Sequence, residues 1–131
     1  MNLLATVEQF LKTLQNRSSF EELLPFYHPE VTQIEFPNLL TREKACRSLE
    51  DLKLAAEKGK GVLKSEQYEI VNKYAFESTI IVEAIWTGVL AIPLGNLNPG
   101  QELKAHFAQF YEFEDGKIIQ QRNYDCFEHF K

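Results

Sequence analysis

Three polar side chains that could do chemistry recur at alternate positions near the end of the sequence, and a fourth precedes them. Gln121, Asn123 and Asp125 are spaced by two residues, and Gln109 lies in the preceding run of mostly apolar residues. Residues spaced by two share one face of a β-strand. A carboxylate can accept and return a proton, whereas an amide orients a carbonyl or hydroxyl group without transferring a proton. The pattern therefore indicates one candidate acid–base group, Asp125, beside a cluster of hydrogen-bonding amides.

These side chains also have structural interpretations that the sequence leaves open. Asp125 could lie in water at a strand end or cap a neighbouring backbone group. The amides could pair with one another across a sheet. Trp86 and Tyr111 could stack on a flat ligand, or they could simply pack in the core.

Cysteine and histidine chemistry has less support. Cys46 and Cys126 are far apart in a chain without secretory features, which favours two free buried thiols over a disulfide. His28, His106 and His129 are scattered, with no carboxylate at metal-ligand spacing. We therefore expect neither a metal site nor a cofactor.

Three helices are predicted in the first half of the chain. Apolar residues from Leu3 to Leu14 recur at three- and four-residue spacing, which is typical of one helix face. Ser19 and Glu22 form a capping box that begins a short second helix, and Pro29 is expected to stop it. Residues 31–36 then predict a strand, and Thr41 is expected to cap a third helix that ends at Gly59 and Gly61.

The second half of the sequence predicts strands. Residues 62–74, 78–91, 102–114 and 117–127 are rich in β-branched and aromatic residues and show stretches of alternation. Asp115-Gly116 between the last two runs predicts a tight hairpin turn, because glycine accepts a positive φ. Helices followed by a meander of strands indicate an α+β fold in a single domain over residues 1–131.

Composition excludes several classes of partner. The formal net charge is −5 and there is no basic cluster, which argues against nucleic acid, since affinity for it depends on cations that neutralise phosphates. No apolar run is long enough to span a bilayer, and no leader pattern is present, so we expect a cytoplasmic protein without a membrane partner. Ten Phe and five Tyr are compatible with an aromatic-lined cavity or with a core rich in phenylalanine.

The order of several short motifs resembles SnoaL-like proteins of the nuclear transport factor 2-like superfamily. They are Tyr27 to Val31 with Pro37, Trp86-Thr87-Gly88, Asn98 to Leu103, Phe113 to Ile118, and Arg122-Asn123-Tyr124. The resemblance covers nearly the whole chain. It implies a cystatin-like cone in which three N-terminal helices pack on a strongly curved antiparallel sheet around an internal pocket.

The resemblance also implies which strand face lines the pocket. The side chains expected there are Ile80, Val82, Ala84, Trp86, Phe107, Gln109, Tyr111, Phe113, Ile119, Gln121, Asn123 and Asp125. Tyr27 and His28 are expected near the mouth. A one-residue slip in register would exchange the two faces, so this assignment depends on the register.

Known chemistries of the superfamily match this chain poorly. The three positions that serve ketosteroid isomerases hold Phe36, Gln109 and Phe10, which supply no base carboxylate. The final-strand aspartate of limonene-epoxide hydrolases falls on Asn123. SnoaL-like cyclases use one aspartate as acid and base, and where that residue is expected this chain has Cys126, with Asp125 one position earlier.

Two functions remain open at this point. The first is a cofactor-free cyclase, isomerase or dehydratase that uses Asp125 on a small apolar or aromatic molecule held by Gln109, Gln121, Asn123, Tyr111, Trp86, Tyr27 and His28. The second is a non-catalytic module for ligand binding or dimerisation. The opposite sheet face should carry an apolar patch, which predicts a homodimer because large exposed apolar patches usually mark interfaces.

Overall fold

A computed structural model describes residues 2–130. Helix α1 spans Leu3–Asn16, and the side chain of Asn2 caps it by accepting from the Ala5 N–H at 3.0 Å. Its apolar stripe buries Val7, Phe10 and Leu11, as the spacing predicts. None of the helices within residues 2–130 is long and apolar enough to cross a membrane.

The second helix is a 3-10 helix over Phe20–Phe26. The Glu22 carboxylate accepts from the backbone N–H groups of Ser18 and Ser19 at 2.7 and 2.9 Å. These bonds lower the pKa of Glu22. The expected stop at Pro29 is wrong, because Pro29 lies inside strand β1, Tyr27–Glu35.

The cap of the third helix, Ser48, lies seven residues after the predicted cap, Thr41. Strand β2, Ala45–Arg47, occupies the first part of the predicted helix, and α2 spans Leu49–Lys58. Ser48 and Asp51 form the actual capping box, with the Asp51 N–H 3.2 Å from the Ser48 hydroxyl and the Ser48 N–H 3.0 Å from the Asp51 carboxylate. The Thr41 hydroxyl instead donates to Glu35 at 3.0 Å, so it is not available to cap a helix.

Six strands form one mixed sheet in the order β2-β1-β6-β5-β4-β3. The four long strands are β3 (Leu63–Phe76), β4 (Thr79–Leu90), β5 (Glu102–Glu114) and β6 (Lys117–Phe127). The expectation of a wholly antiparallel sheet is wrong at one place, since β1 pairs with β6 in parallel. Asp115 and Gly116 both have positive φ, as a two-residue hairpin turn between β5 and β6 requires.

We call the sheet face that carries Ile80, Val82 and Tyr111 the inner face, because these side chains cluster with buried residues of the helices; the other is the outer face. The buried side chains of β4 and β5 are those that the alternation predicts. The pairing register between β5 and β6 shifts between Glu112 and Phe113 of β5. This irregularity buries Ile118 rather than the expected Ile119 and restores the predicted phase at Gln121.

The buried apolar residues form two clusters. The larger joins α1 and the 3-10 helix to the sheet around Phe10, Ile80 and Tyr111. The smaller surrounds Trp86 and Phe107 and includes Phe130 from the C-terminal segment. Cys46 and Cys126, expected to be buried, are both free and exposed, because they lie on outer-face positions of β2 and β6.

Candidate functional site

Three amide side chains lie buried together on the inner face. We call Gln109, Gln121 and Asn123 the amide trio; their exposed fractions are 4, 3 and 8%. Gln109 lies opposite Asn123 across β5 and β6, and Tyr111 lies opposite Gln121.

Hydrogen bonds satisfy only part of the amide trio. The Tyr111 hydroxyl donates to Gln109 Oε1 at 2.5 Å, and Gln121 Nε2 donates to Asn123 Oδ1 at 2.9 Å. Gln121 Oε1 is buried without a hydrogen-bond partner among residues 2–130. An unpaired buried acceptor is costly, so this oxygen is suited to receive a donor from a bound molecule or from water.

Asp125 follows Asn123 on the same strand face and lies opposite Phe107. It is half-buried, and its Oδ1 atom is buried without a partner in the described part of the chain. The pKa of Asp125 is raised to about 7, mainly by burial and also by the charge of Glu35, against an opposing effect of Arg47. A carboxyl group with this pKa exchanges protons readily near neutral pH.

Aromatic rings lie beside this carboxyl group. The rings of Trp86 and Phe107 stack with centroids 5.6 Å apart, and Tyr68 lies 6.2 Å from Phe107. A side chain at Gly88 would approach the Trp86 indole to within 2.6 Å, so glycine is needed there for the indole to keep its position. The apolar surroundings explain why the charged form of Asp125 is disfavoured.

The sequence analysis missed three polar residues that belong to the same face. Gln33 lies opposite Gln121, Glu35 lies opposite Asn123, and Arg47 lies opposite Gln33. Arg47 Nη1 donates to Glu35 at 2.8 Å and to Gln33 at 3.2 Å. The alternation of Val31, Gln33 and Glu35 indicates that Gln33 and Glu35 share the face of Val31. No local pattern indicates strand β2, and therefore Arg47, because these residues fall within a predicted helix.

Phe36, the residue at the position of the isomerase base, does not lie on the inner face. Phe36 points to the outer face, where its ring stacks on Tyr124 with centroids 4.4 Å apart. The inward carboxylate at the end of β1 is Glu35. Burial opposes ionisation of Glu35, but hydrogen bonds from Asn38, Arg47 and Thr41 outweigh it and hold its pKa below the ordinary value.

Tyr27 and His28 lie at the other end of the sheet from Asp125. Tyr27 lies opposite Ile118, seven residues before Asp125, which corresponds to about 23 Å of extended strand. Tyr27 is 5% exposed and contacts the rings of Phe10 and Phe20, and burial raises its pKa. It is a core residue rather than part of a pocket mouth.

His28 has partners of its own. Its Nδ1 accepts from the Glu30 N–H at 3.0 Å, and its Nε2 lies 3.3 Å from Glu114. His28, Glu114 and Asp115 are close enough to surround a cation. However, a neutral imidazole that accepts at Nδ1 carries its proton on Nε2, so in this arrangement neither ring nitrogen offers a free lone pair to a metal ion.

One cavity lies next to Asp125 and the amide trio rather than among them. A cavity of about 580 Å³ lies between the ends of α1 and α2 and the start of β3, with Arg17, Phe20, Leu63 and Glu66 among its walls. Trp86 Nε1 donates to Glu66 at 3.0 Å, and Arg17 lies 3.4 Å from the same carboxylate. Neither Asp125 nor the amide trio lines this cavity or two others of about 550 and 380 Å³ among the described residues.

Comparisons with solved structures identify the fold. IdmH from Streptomyces antibioticus, a candidate polyketide cyclase, aligns over 95% of this chain and 92% of its own with a TM-score of 0.78 and 10% identity. A nuclear transport factor 2-like protein from Anabaena variabilis aligns over 97% and 87% with a TM-score of 0.71 and 16% identity. An epoxide hydrolase from M. tuberculosis, similar to limonene-epoxide hydrolase, aligns over 96% and 82% with a TM-score of 0.68 and 18% identity.

These similarities establish an α+β fold of the nuclear transport factor 2-like kind. No protein-family profile matches the chain, and no curated protein sequence matches it. Proteins of this fold have many functions, so the function must be argued from the side chains of the inner face.

Proposed function

We propose that this protein binds a small apolar or aromatic carbonyl compound on the inner face and catalyses proton transfer next to the carbonyl, as a cyclase, isomerase or dehydratase does. The observation that carries the proposal is Asp125, a half-buried carboxyl group with an unpaired buried oxygen and a pKa of about 7. The solved relatives include candidate polyketide cyclases, which is consistent with this reaction class. The proposal places the protein in the cytoplasm and requires no cofactor.

The proposed reaction consists of two proton transfers. The ionised carboxylate of Asp125 removes a proton from the carbon next to the carbonyl; the C–H electron pair then forms an enolate. Protonated Asp125 returns that proton to carbon or oxygen, which regenerates the carboxylate without any redox change. Donors in or near the amide trio would hold the carbonyl oxygen as negative charge develops on it.

A second candidate function is non-catalytic ligand binding. It is favoured by the hydrogen bonds that engage the amide trio, one from Tyr111 to Gln109 and one between Gln121 and Asn123, and by the position of the 580 Å³ cavity outside the Asp125 site. In that case the cavity would hold the ligand, and Asp125 would have no chemical role.

Solvent exchange distinguishes the two functions. A simple bicyclic ketone such as 2-tetralone is incubated in D₂O with the protein, and deuterium uptake at the carbon next to the carbonyl is followed by NMR. Trp86, the only tryptophan, reports binding by fluorescence because it stacks on Phe107 beside the site. The enzyme proposal expects uptake above the protein-free rate that falls at least about tenfold in Asp125→Asn with binding retained. Binding without accelerated uptake would support the non-catalytic function instead.

We also propose a homodimer formed through the outer face. An aromatic patch there consists of Phe36, Phe110 and Tyr124; Phe36 and Phe110 each contact Tyr124, which is 41% exposed. Apolar aromatic rings at a surface are typical of interface cores.

A further inference from the structure

We propose that Glu35 and Arg47 act as positioning residues for Asp125, forming a fixed ion pair on β1 and β2 whose two charges adjust the protonation of half-buried Asp125 in opposite directions without touching substrate. This inference deepens the proposed function and rests on it for its catalytic meaning. Its electrostatic content is independent, because it concerns the free protein.

Register brings the three groups to one face. Glu35 is directly opposite Asn123, and Asp125 is the next inward residue of β6. Arg47 is opposite Gln33, the inward residue before Glu35. The pair therefore extends the polar row of the amide trio across two further strands.

The carboxyl groups of Glu35 and Asp125 differ in how many hydrogen-bond donors surround them. Glu35 Oε2 accepts from Asn38 at 2.9 Å and from Thr41 at 3.0 Å, while Oε1 accepts from Arg47 at 2.8 Å. A carboxylate with three donors is stabilised in its charged form. Asp125 has a buried oxygen without a partner, so Asp125 is suited to carry a proton and Glu35 to remain a fixed negative charge.

The remaining charged and titratable groups near Asp125 do not duplicate this effect. Tyr68 on β3 and Tyr111 on β5 face the same region, but both are neutral near pH 7, because the ordinary tyrosine pKa is about 10 and burial raises the pKa of both further. Arg17 at the end of α1 pairs with Glu66. Glu35 therefore raises the pKa of Asp125, and Arg47 lowers it.

The experiment is a titration of the Asp125 carboxyl carbon by NMR. The chain contains three aspartates, Asp51, Asp115 and Asp125, so protein labelled with ¹³C at the aspartate carboxyl gives three signals, and Asp125→Asn identifies one of them. Glu35→Gln removes a negative charge and should lower the Asp125 midpoint by about 0.5 to 1 pH unit. Arg47→Gln removes a positive charge and should raise the midpoint by a similar amount.

Opposite signs are the decisive result, since both substitutions break the same ion pair. A purely structural role would move the midpoint in the same direction in both variants or not at all, and either outcome would overturn the proposal. Glu112→Gln is the matched control, because Glu112 pairs with Arg122 at 3.0 Å on the outer face with similar exposure. An equal shift in this control would also overturn the proposal. If Glu35→Gln does not fold, Arg47→Gln alone tests the proposal. A lowered or unchanged Asp125 midpoint in that variant would overturn it.

The failure of this inference can be separated from that of the proposed function. The titration needs no substrate, so it reads the ion pair whether or not the protein catalyses exchange. If the midpoints shift as expected and 2-tetralone shows no accelerated exchange, the electrostatic coupling stands and only its catalytic meaning is lost.

Discussion

Glu35 and Phe36 are consecutive residues whose side chains lie on opposite faces of the sheet. Glu35 joins the inner polar row beside Asn123, whereas Phe36 stacks on Tyr124 outside. A one-residue difference therefore separates an inward carboxylate from an outward aromatic ring. Because of it, the carboxyl group of Glu35 lies on the same face as that of Asp125.

The first prediction concerns the pH dependence of the proposed reaction. Proton removal needs the ionised form of Asp125, and its pKa is about 7. Exchange of 2-tetralone in D₂O should therefore rise about tenfold per pH unit below 7 and become constant above it. Initial rates measured from pH 5 to 9, corrected for the protein-free rate, test this. A rate that is flat from pH 5 to 7 would rule out Asp125 as the base.

The second prediction concerns stability. The pKa of Asp125 is about 7 in the folded protein, against an ordinary value of 3.8, so the folded state binds this proton more tightly than the unfolded state. The stabilisation is fully present below pH 3.8 and is lost as the pH rises through 7, by about 1.4 kcal/mol per pH unit. The stability of Asp125→Asn relative to the original protein should therefore increase between pH 4 and 7, by up to about 4 kcal/mol.

Urea unfolding at several pH values measures this difference. Asp115→Asn, in the exposed hairpin turn, is the control, and its difference from the original protein should stay nearly constant. A difference for Asp125→Asn that does not change with pH would mean that the carboxyl group is in water.

The β-strands could be predicted from the sequence because alternation is a strong local signal. The inner faces of β4 and β5 follow it residue by residue, and the Asp115-Gly116 turn fixes the hairpin between β5 and β6. The buried positions of the amide trio followed from that phase. The irregularity beside Ile118 had no local signal, since it depends on the pairing of two strands.

Other features of the fold could not be predicted from local sequence patterns. Ser48 and Asp51 compete with Thr41 as a helix start, and the contact between Thr41 and Glu35 decides the outcome. Strand β2 is only three residues long, and it exists because β1 provides an edge to pair with. The Glu35–Arg47 pair could therefore not be predicted, since it depends on that pairing.

The third prediction tests the hydrogen bond within the buried amide region. Tyr111 is fully buried, and its hydroxyl donates to Gln109. Tyr111→Phe leaves the Gln109 oxygen without this donor, which should lower the free energy of unfolding by about 1 to 3 kcal/mol. Tyr74→Phe, at a tyrosine that is 55% exposed, should change it by less than about 0.5 kcal/mol. Equal urea midpoints for the two variants would contradict the assignment.

The fourth prediction concerns the packing of the C-terminal segment over the smaller apolar cluster. The Asn96 N–H donates to the Phe130 carbonyl at 2.9 Å, and a side chain at Gly95 would overlap that carbonyl oxygen. Gly95 and Gly100 both have positive φ, but a side chain at Gly100 would meet nothing within 4 Å. Alanine costs roughly 1 kcal/mol of backbone strain at either position, so any additional loss in Gly95→Ala measures the contact with Phe130.

Thermal unfolding and amide exchange give the two measurements for this pair. Gly95→Ala should have a lower melting temperature than Gly100→Ala and faster hydrogen exchange at Asn96. If both variants lose the same stability and Asn96 remains protected, the segment does not hold its place through this contact.

The last prediction tests the proposed homodimer. Tyr124 is exposed at the centre of the aromatic patch, between Phe36 and Phe110. In a dimer formed there, Tyr124→Glu would bury a charge without a partner, a cost of several kcal/mol, so the variant should be a monomer when the original protein is a dimer. Phe76→Ser is the control, because Phe76 is 71% exposed at the end of β3, outside the patch, and it should remain dimeric. Size-exclusion chromatography with light scattering gives the masses; a monomer for the original protein, or a dimer that persists in Tyr124→Glu, would exclude this interface.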